Sequence, residues 1–195
     1  MTTAVPIAWL VARAAGLVAF GLLTLSVWLG LGMSTRLLAP KRTKMLLGLH
    51  RTLAWTGLSM VGLHLGAILF DPVLHFGALA VLVPGAASWR PGAVALGVVA
   101  GWLTLALAAS FNARRWIGQK GWRRLHYATF AAFWLALGHA LLVGTDLKGF
   151  GGPVTAILAA GPVLWLTFYR LLTPRAPRAR VEPNAGLHRS LTVAL

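Results

Sequence analysis

Long apolar runs alternate with short polar connections along the whole chain. Five runs provide the about 20 mostly apolar residues that a membrane-spanning helix needs: residues 7–32, about 45–70, 92–111, about 125–145 and 152–172. The first run lacks a basic leader and a small-residue cleavage site, so it predicts a retained helix rather than a signal peptide. The pattern predicts an all-α integral membrane bundle of five transmembrane helices over residues 1–172. A basic cytoplasmic tail, for which we expect disorder, follows over residues 173–195.

The composition agrees with a membrane protein and excludes several kinds of site. Of the 195 residues, 58% are hydrophobic and the mean hydropathy is +0.76, which exceeds the apolar content usual in soluble domains. Cysteine is absent, which excludes disulfides, iron–sulfur clusters, thiolate-ligated heme and covalently attached c-type heme. The formal charge of +15 would suit nucleic acid, but its cations lie between apolar runs, so we expect no nucleic-acid partner.

Charge is distributed unequally between the two sets of connections. Most cations lie after the first run, after the third run and in the tail, whereas the other connections carry only Arg90 and Lys148, beside Asp71 and Asp146. Under the positive-inside rule, the N-terminus lies outside and the C-terminus in the cytoplasm, as in a multi-pass protein of a bacterial inner membrane. The three basic segments are Arg36, Lys41, Arg42 and Lys44 after the first run, Arg114, Arg115, Lys120, Arg123 and Arg124 after the third, and Arg175, Arg178, Arg180 and Arg189 in the tail.

Four of the six histidines lie in the second and fourth apolar runs. His50 and His64 are 14 positions apart, and His126 and His139 are 13 apart. Because one span intervenes, these two helices run in the same direction, which puts His50 level with His126 and His64 level with His139. The two levels are about 20 Å apart along a helix. Neutral imidazole is a normal axial ligand of heme iron, so the pattern predicts two non-covalent b-type hemes, one at each level.

Helical phase and the absence of carboxylates qualify this prediction. Fourteen residues close four slightly underwound turns, whereas thirteen residues close no whole number of turns. The fourth helix is therefore expected to bend or carry a bulge, unless the two heme planes differ in orientation. Metal transport, a proton relay and a purely structural role are the alternatives for paired histidines. A path for divalent metal would normally add carboxylates, and none lies inside a predicted span.

Three arginines are candidates for binding heme propionates. Arg13 lies about six residues into the first span, near the expected depth of His64 and His139. A buried arginine needs a counter-charge, which a propionate would supply; the alternative is that Arg13 extends to the lipid headgroups. Arg51 and Arg124 flank the histidines at the other level. They would bind propionates or serve as topology charges.

These residues resemble the ferric reductase-like transmembrane family, which includes the membrane parts of ferric reductases and NADPH oxidases and the heme subunit of a periplasmic methionine sulfoxide reductase. The resemblance covers roughly residues 8–172, and its most specific part is the four-histidine spacing. The matching segments are Arg13-Ala14-Ala15-Gly16-Leu17, Leu49-His50-Arg51, Leu63-His64-Leu65, Trp122-Arg123-Arg124-Leu125-His126-Tyr127, Gly138-His139-Ala140 and Gly144-Thr145-Asp146.

The resemblance implies two bis-histidine hemes, His50 with His126 and His64 with His139, and electron flow from the cytoplasmic to the outer side. Residues 173–195 contain no G-x-G-x-x-G motif, so we expect no nicotinamide chemistry in the chain itself. As an oxidoreductase component, it would take electrons from a cytoplasmic donor or a membrane quinol and pass them to an outer-face acceptor. The alternatives are a single-heme subunit dedicated to a periplasmic reductase, and a non-heme membrane transporter or assembly protein.

Overall fold

The computed structural model describes residues 7–35, 37–38, 42–72 and 75–173, and within these ranges it is helical and without strands. The predicted tail from residue 174 onward and part of the first basic connection lie outside the described residues. Six helices follow one another in these ranges: α1 (Ile7–Ser34), α2 (Thr43–Leu69), α3 (Ala78–Leu82), α4 (Pro91–His126), α5 (Ala128–Val143) and α6 (Gly151–Leu172).

Four of these helices, α1, α2, α4 and α6, are long and apolar enough to cross a membrane. Each contains one of the predicted spans. The bundle also exposes large apolar side chains, and on α6 Ile157, Leu158, Trp165 and Phe168 are each at least 60% exposed. An apolar surface of this extent is expected of a protein in contact with lipid. The remaining predicted span, about 125–145, coincides with the end of α4 and the apolar helix α5, which at 16 residues is shorter.

Two antiparallel helix pairs form the body of the bundle. Helix α1 packs along α2, and α4 packs along α5. Helix α6 covers the side where α1 and α5 meet, through a core that includes Leu31, Phe133 and Val163. By contrast, no Cα atom of α2 comes within 8 Å of a Cα atom of α5. A gap between these two backbones therefore separates the helix of His64 from the helix of His139, whereas α4, which ends at His126, comes closer to α2.

A tight turn directly after His126 interrupts the fourth predicted span, for which the sequence analysis expected a bend or a bulge. Tyr127 donates its N–H to the carbonyl of Arg124, three residues back (3.1 Å), and its own carbonyl accepts from Phe130 (3.1 Å). Three-residue turns rotate the chain further per residue than α-helical turns do. His126 at the end of α4 and His139 on α5 thus belong to two helices that this turn separates. Arg170 on α6 donates to the Tyr127 hydroxyl (3.0 Å).

A second irregularity separates α4 into two helical parts. Gly118 has φ 72° and ψ 162°, so the chain changes direction there. This conformation is essentially restricted to glycine. The long first part, from Pro91 onward, packs against α5, and the short second part carries Trp122 and His126 into the turn at Tyr127.

The connection between α2 and α4 packs onto the bundle. Phe76, Ala80 and Val81 are buried with Val94 and Val98 of α4. Leu65 and Ile68 of α2 and Val143 of α5 pack against the same cluster. One side of this segment covers the ends of the helices that carry His64 and His139.

Candidate functional site

The four histidines of α2, α4 and α5 form two pairs, of which His64–His139 lies across the gap. The ring centres of His50 and His126 are 6.3 Å apart, with ring planes at 74°. Those of His64 and His139 are 6.4 Å apart, at 78°. The structure thus brings together the same residues that the sequence placed at common levels. Whether they are ligands is a separate question, which depends on which nitrogen of each ring faces the gap.

In three of the four rings, hydrogen bonding identifies the nitrogen that is left for a ligand. His64 Nδ1 lies 2.7 Å from the carbonyl oxygen of Ala12, and His139 Nδ1 lies 2.9 Å from that of Ala93. His50 Nδ1 lies 2.8 Å from the carbonyl oxygen of Ser26. A carbonyl only accepts, so each Nδ1 carries the proton and donates it. The other nitrogen, Nε2, is then unprotonated and free to bind a metal, as in most metal-ligating histidines.

His126 is held by an aromatic contact. Its ring stacks on Trp122, with ring centres 4.9 Å apart and planes at 25°. Phe111 in turn contacts the edge of Trp122 at 6.1 Å. Within the described residues, His126 makes no side-chain hydrogen bond to fix its tautomer. The two pairs therefore differ: both rings of the His64–His139 pair are bonded to carbonyls, but only one ring of the His50–His126 pair is.

Three glycines of the neighbouring helices lie directly against the histidine rings. A Cβ atom built on Gly16 of α1 would lie 2.9 Å from His64 Nδ1, and one on Gly97 of α4 would lie 2.6 Å from His139 Nδ1. At Gly30 of α1 the nearest atom, Cε1 of His50, would be 3.4 Å away. The sequence analysis did not identify these three glycines. Their signal is a repeated spacing, in which each glycine follows a carbonyl acceptor by four residues: Ala12, Ser26 and Ala93.

The separations within the pairs are those expected of two imidazoles on opposite sides of one metal ion. With metal–nitrogen bonds of about 2.0–2.1 Å, the two ring centres lie roughly 6 Å apart. Two ligands alone do not make a protein metal site, and the described residues contain no group of three or more His, Cys, Asp or Glu side chains that could hold an ion. The arrangement suits an ion whose remaining ligands come from a planar macrocycle.

The three arginines have different surroundings. Arg13 forms a two-point ion pair with Asp146, in the connection between α5 and α6; its Nε donates to Oδ2 at 2.9 Å. The guanidinium also lies 3.9 Å from the centre of the Trp9 ring. Asp146 thus supplies the counter-charge for which the sequence analysis invoked a propionate. Arg51 and Arg124 are exposed, and Arg51 lies over the Phe111 ring at 5.4 Å. A role in propionate binding stays a prediction for all three.

Comparison of the chain with protein-family models, with curated protein sequences and with solved structures finds no match. The functional argument therefore depends on the residues of this chain and their geometry.

Proposed function

We propose that this chain is a transmembrane b-type cytochrome that relays electrons across the bilayer, as the membrane component of a ferric reductase-like oxidoreductase. The observation that carries the proposal is the two histidine pairs, with ring centres 6.3 and 6.4 Å apart, which connect α2 to the end of α4 and to α5.

The donor set fits heme b. The His50–His126 and His64–His139 pairs would each hold one heme b through their two imidazoles. Nδ1–H bonds to Ala12, Ser26 and Ala93 hold three Nε2 atoms ready as ligands. The chain has no cysteine, so the group would be non-covalent. When bound in this way, heme supplies one-electron redox chemistry with no open position for a substrate on the iron.

We also infer five spans, with the N-terminus outside and the C-terminus in the cytoplasm. Helix α5 alone would extend about 24 Å at 1.5 Å per residue, less than the about 30 Å of a bilayer core. The helical stretch that starts after Gly118 and passes through the turn at Tyr127 into α5 would extend about 37 Å. This length, together with the basic residues Arg123 and Arg124 beside His126, supports a fifth crossing that starts on the cytoplasmic side.

In this orientation the His50–His126 pair is the cytoplasmic one and the His64–His139 pair the outer one. The donor is then a cytoplasmic protein or a membrane quinol, and the acceptor is an outer-face oxidant or a periplasmic reductase. The chain's own residues hold and orient the two groups and keep water away from them. The segment that includes Phe76, Ala80 and Val81 packs on Leu65, next to His64, and on Val143, four residues after His139.

The experiment is a spectrum of the purified full chain, oxidised and reduced with dithionite, with a pyridine hemochrome assay for stoichiometry. We expect two hemes b per chain with low-spin α bands. The variants His50→Ala and His64→Ala should each lose one heme. His75→Asn is the matched control, because His75 lies outside the pairs at φ 48°, a conformation that asparagine tolerates. A colourless wild-type protein from heme-replete cells would contradict the proposal.

A single-heme subunit dedicated to a periplasmic reductase is the second candidate. The observation that favours it is the looser fixation of His126, which stacks on Trp122 instead of donating to a carbonyl. It predicts one heme per chain, lost in His64→Ala and retained in His50→Ala. A non-heme transporter or assembly protein, the candidate of another class, predicts no heme in any variant. The two described carboxylates, Asp71 and Asp146, lie outside the helices, so an ion path through the spans would lack them.

A further inference from the structure

The same contact occurs at three of the four histidines. A histidine of one helix donates Nδ1–H to a carbonyl of the antiparallel neighbour, and the residue four positions after that carbonyl is glycine. The three carbonyl–glycine sets are Ala12 with Gly16 for His64, Ser26 with Gly30 for His50, and Ala93 with Gly97 for His139.

The glycine has a physical reason. In an α-helix the carbonyl of residue i already accepts the N–H of residue i+4, and the side chain of residue i+4 lies beside that oxygen. Glycine removes this side chain, so a second donor can approach the oxygen and the donor's ring can lie flat against the helix. At Gly97 and Gly16 the rings come too close for any Cβ atom, at 2.6 and 2.9 Å. At Gly30 the distance of 3.4 Å is close to ordinary contact.

We propose that Gly16 and Gly97 are positioning residues that open the carbonyls of Ala12 and Ala93 to His64 and His139, and that they thereby give the His64–His139 centre the lower reduction potential of the two. The inference rests on the proposed function. A carbonyl that accepts from Nδ1–H makes the imidazole a stronger electron donor. Stronger donation stabilises the oxidised iron, and hydrogen bonding around the ligands is one of the protein's means of setting a heme potential.

The comparison between the pairs gives the sign. Both rings of the His64–His139 pair donate to carbonyls. In the other pair only His50 does so, and its Nδ1 is shared between the carbonyl and the hydroxyl of Ser26 (2.8 and 2.9 Å). His126 stacks on Trp122 instead. A single electron distributed between the two centres would therefore reside mainly at the His50–His126 pair. Its transfer out of the protein through the His64–His139 pair would depend on the acceptor.

The test is a redox titration of the purified full chain with two glycine variants and their matched controls. Gly97→Ala is paired with Gly101→Ala on α4, and Gly16→Ala with Gly21→Ala on α1. A Cβ atom at Gly101 or Gly21 meets nothing within 4 Å, so each control adds the same methyl group to the same helix without touching a histidine. Titrations of His64→Ala and His50→Ala assign the lower and the higher potential to their pairs.

We expect the lower potential to rise in Gly97→Ala, to rise less in Gly16→Ala, and to stay unchanged in both controls. Gly30→Ala should leave both potentials close to those of the wild type. If Gly97→Ala loses one heme while Gly101→Ala retains two, this result supports the positioning role. The change in the lower reduction potential is then measured in Gly16→Ala.

Three results would overturn the inference. The first is a lower potential that neither Gly97→Ala nor Gly16→Ala moves. The second is an equal shift in the controls, which would indicate a general loosening of the helices. The third is assignment of the lower potential to the His50–His126 pair. A wild-type chain without heme would overturn the proposed function itself, so the two failures are distinguishable.

Discussion

Arg13 on α1 and Asp146 in the connection between α5 and α6 form a two-point ion pair across 133 positions of the sequence. The pair joins the two antiparallel helix pairs at the end of the bundle where His64 and His139 lie. Both side chains are partly exposed, at 30% and 37%, so the interaction is screened by solvent. Trp9, whose ring faces the guanidinium at 3.9 Å, restricts Arg13 from a second side.

A double-mutant cycle with Arg13→Gln and Asp146→Asn should detect this pair. We expect a coupling of about 0.5–1 kcal/mol in the free energy of unfolding in mixed micelles, as for partly exposed ion pairs, and a smaller coupling at high salt. Lys148→Gln, in the same connection, is the control and should be additive with Arg13→Gln. If Arg13 serves a propionate instead, Arg13→Gln alone will weaken heme binding, and Asp146→Asn will not.

The helices and the histidine pairing could be predicted from the sequence, because both depend on signals carried by side chains. Apolar runs mark the helices, and spacings of 14 and 13 on two helices in the same direction put the histidines at two levels. The end of α4 was harder to predict. The apolar run stops at Phe111, but helical structure continues to His126 with an interruption at Gly118, because the basic residues that follow are good helix formers.

The contacts of the site with main-chain atoms could not be predicted. The acceptors for His64 and His139 are carbonyl oxygens, which every residue has, so nothing at Ala12 or Ala93 distinguishes them alone. The partner of Arg13 was missed because Asp146 lies in a connection, where its position depends on how α5 ends. The bend after His126 was expected as one of two ways to accommodate the 13-residue spacing, but its location at Tyr127 was not.

Gly118→Ala should disturb the site from a distance. At φ 72° and ψ 162° a residue with a Cβ atom costs about 1–3 kcal/mol. Relief of this strain would straighten α4 and move the short helix that carries Trp122 and His126. We expect a lower midpoint of thermal unfolding and less heme at the His50–His126 pair, measured by hemochrome assay.

Gly121→Ala is the control for Gly118→Ala. Gly121 is helical, and a Cβ atom there would lie 3.8 Å from Ile117, which is an ordinary contact. This change should be neutral or slightly stabilising, because alanine is the better helix former. Equal behaviour of the two variants would show that the backbone at Gly118 does not position His126.

Trp122 is expected to hold His126 through its ring face and not through its N–H. Within the described residues, the indole nitrogen is buried without a hydrogen-bond partner. Trp122→Phe keeps a stacking surface and should retain two hemes. Trp122→Leu loses a ring contact worth about 0.5–1.5 kcal/mol, which is up to about tenfold in heme affinity at the His50–His126 pair. Trp116→Leu, at a site 78% exposed, is the control; heme titration of the apoprotein measures all three.

The fifth crossing can be tested directly because the chain has no cysteine. Single cysteines are introduced at exposed positions, as Ser88→Cys before α4, Lys120→Cys after Gly118 and Lys148→Cys after α5. They are then labelled in intact cells with a membrane-impermeant maleimide. If α4 and α5 both cross, positions 88 and 148 are labelled from outside and position 120 only after permeabilisation, because basic connections stay in the cytoplasm. If α5 does not cross, positions 120 and 148 share one side, and the topology of five spans is wrong. Labelling of position 120 alone in intact cells would reverse the orientation, and with it the side from which the His50–His126 pair receives electrons.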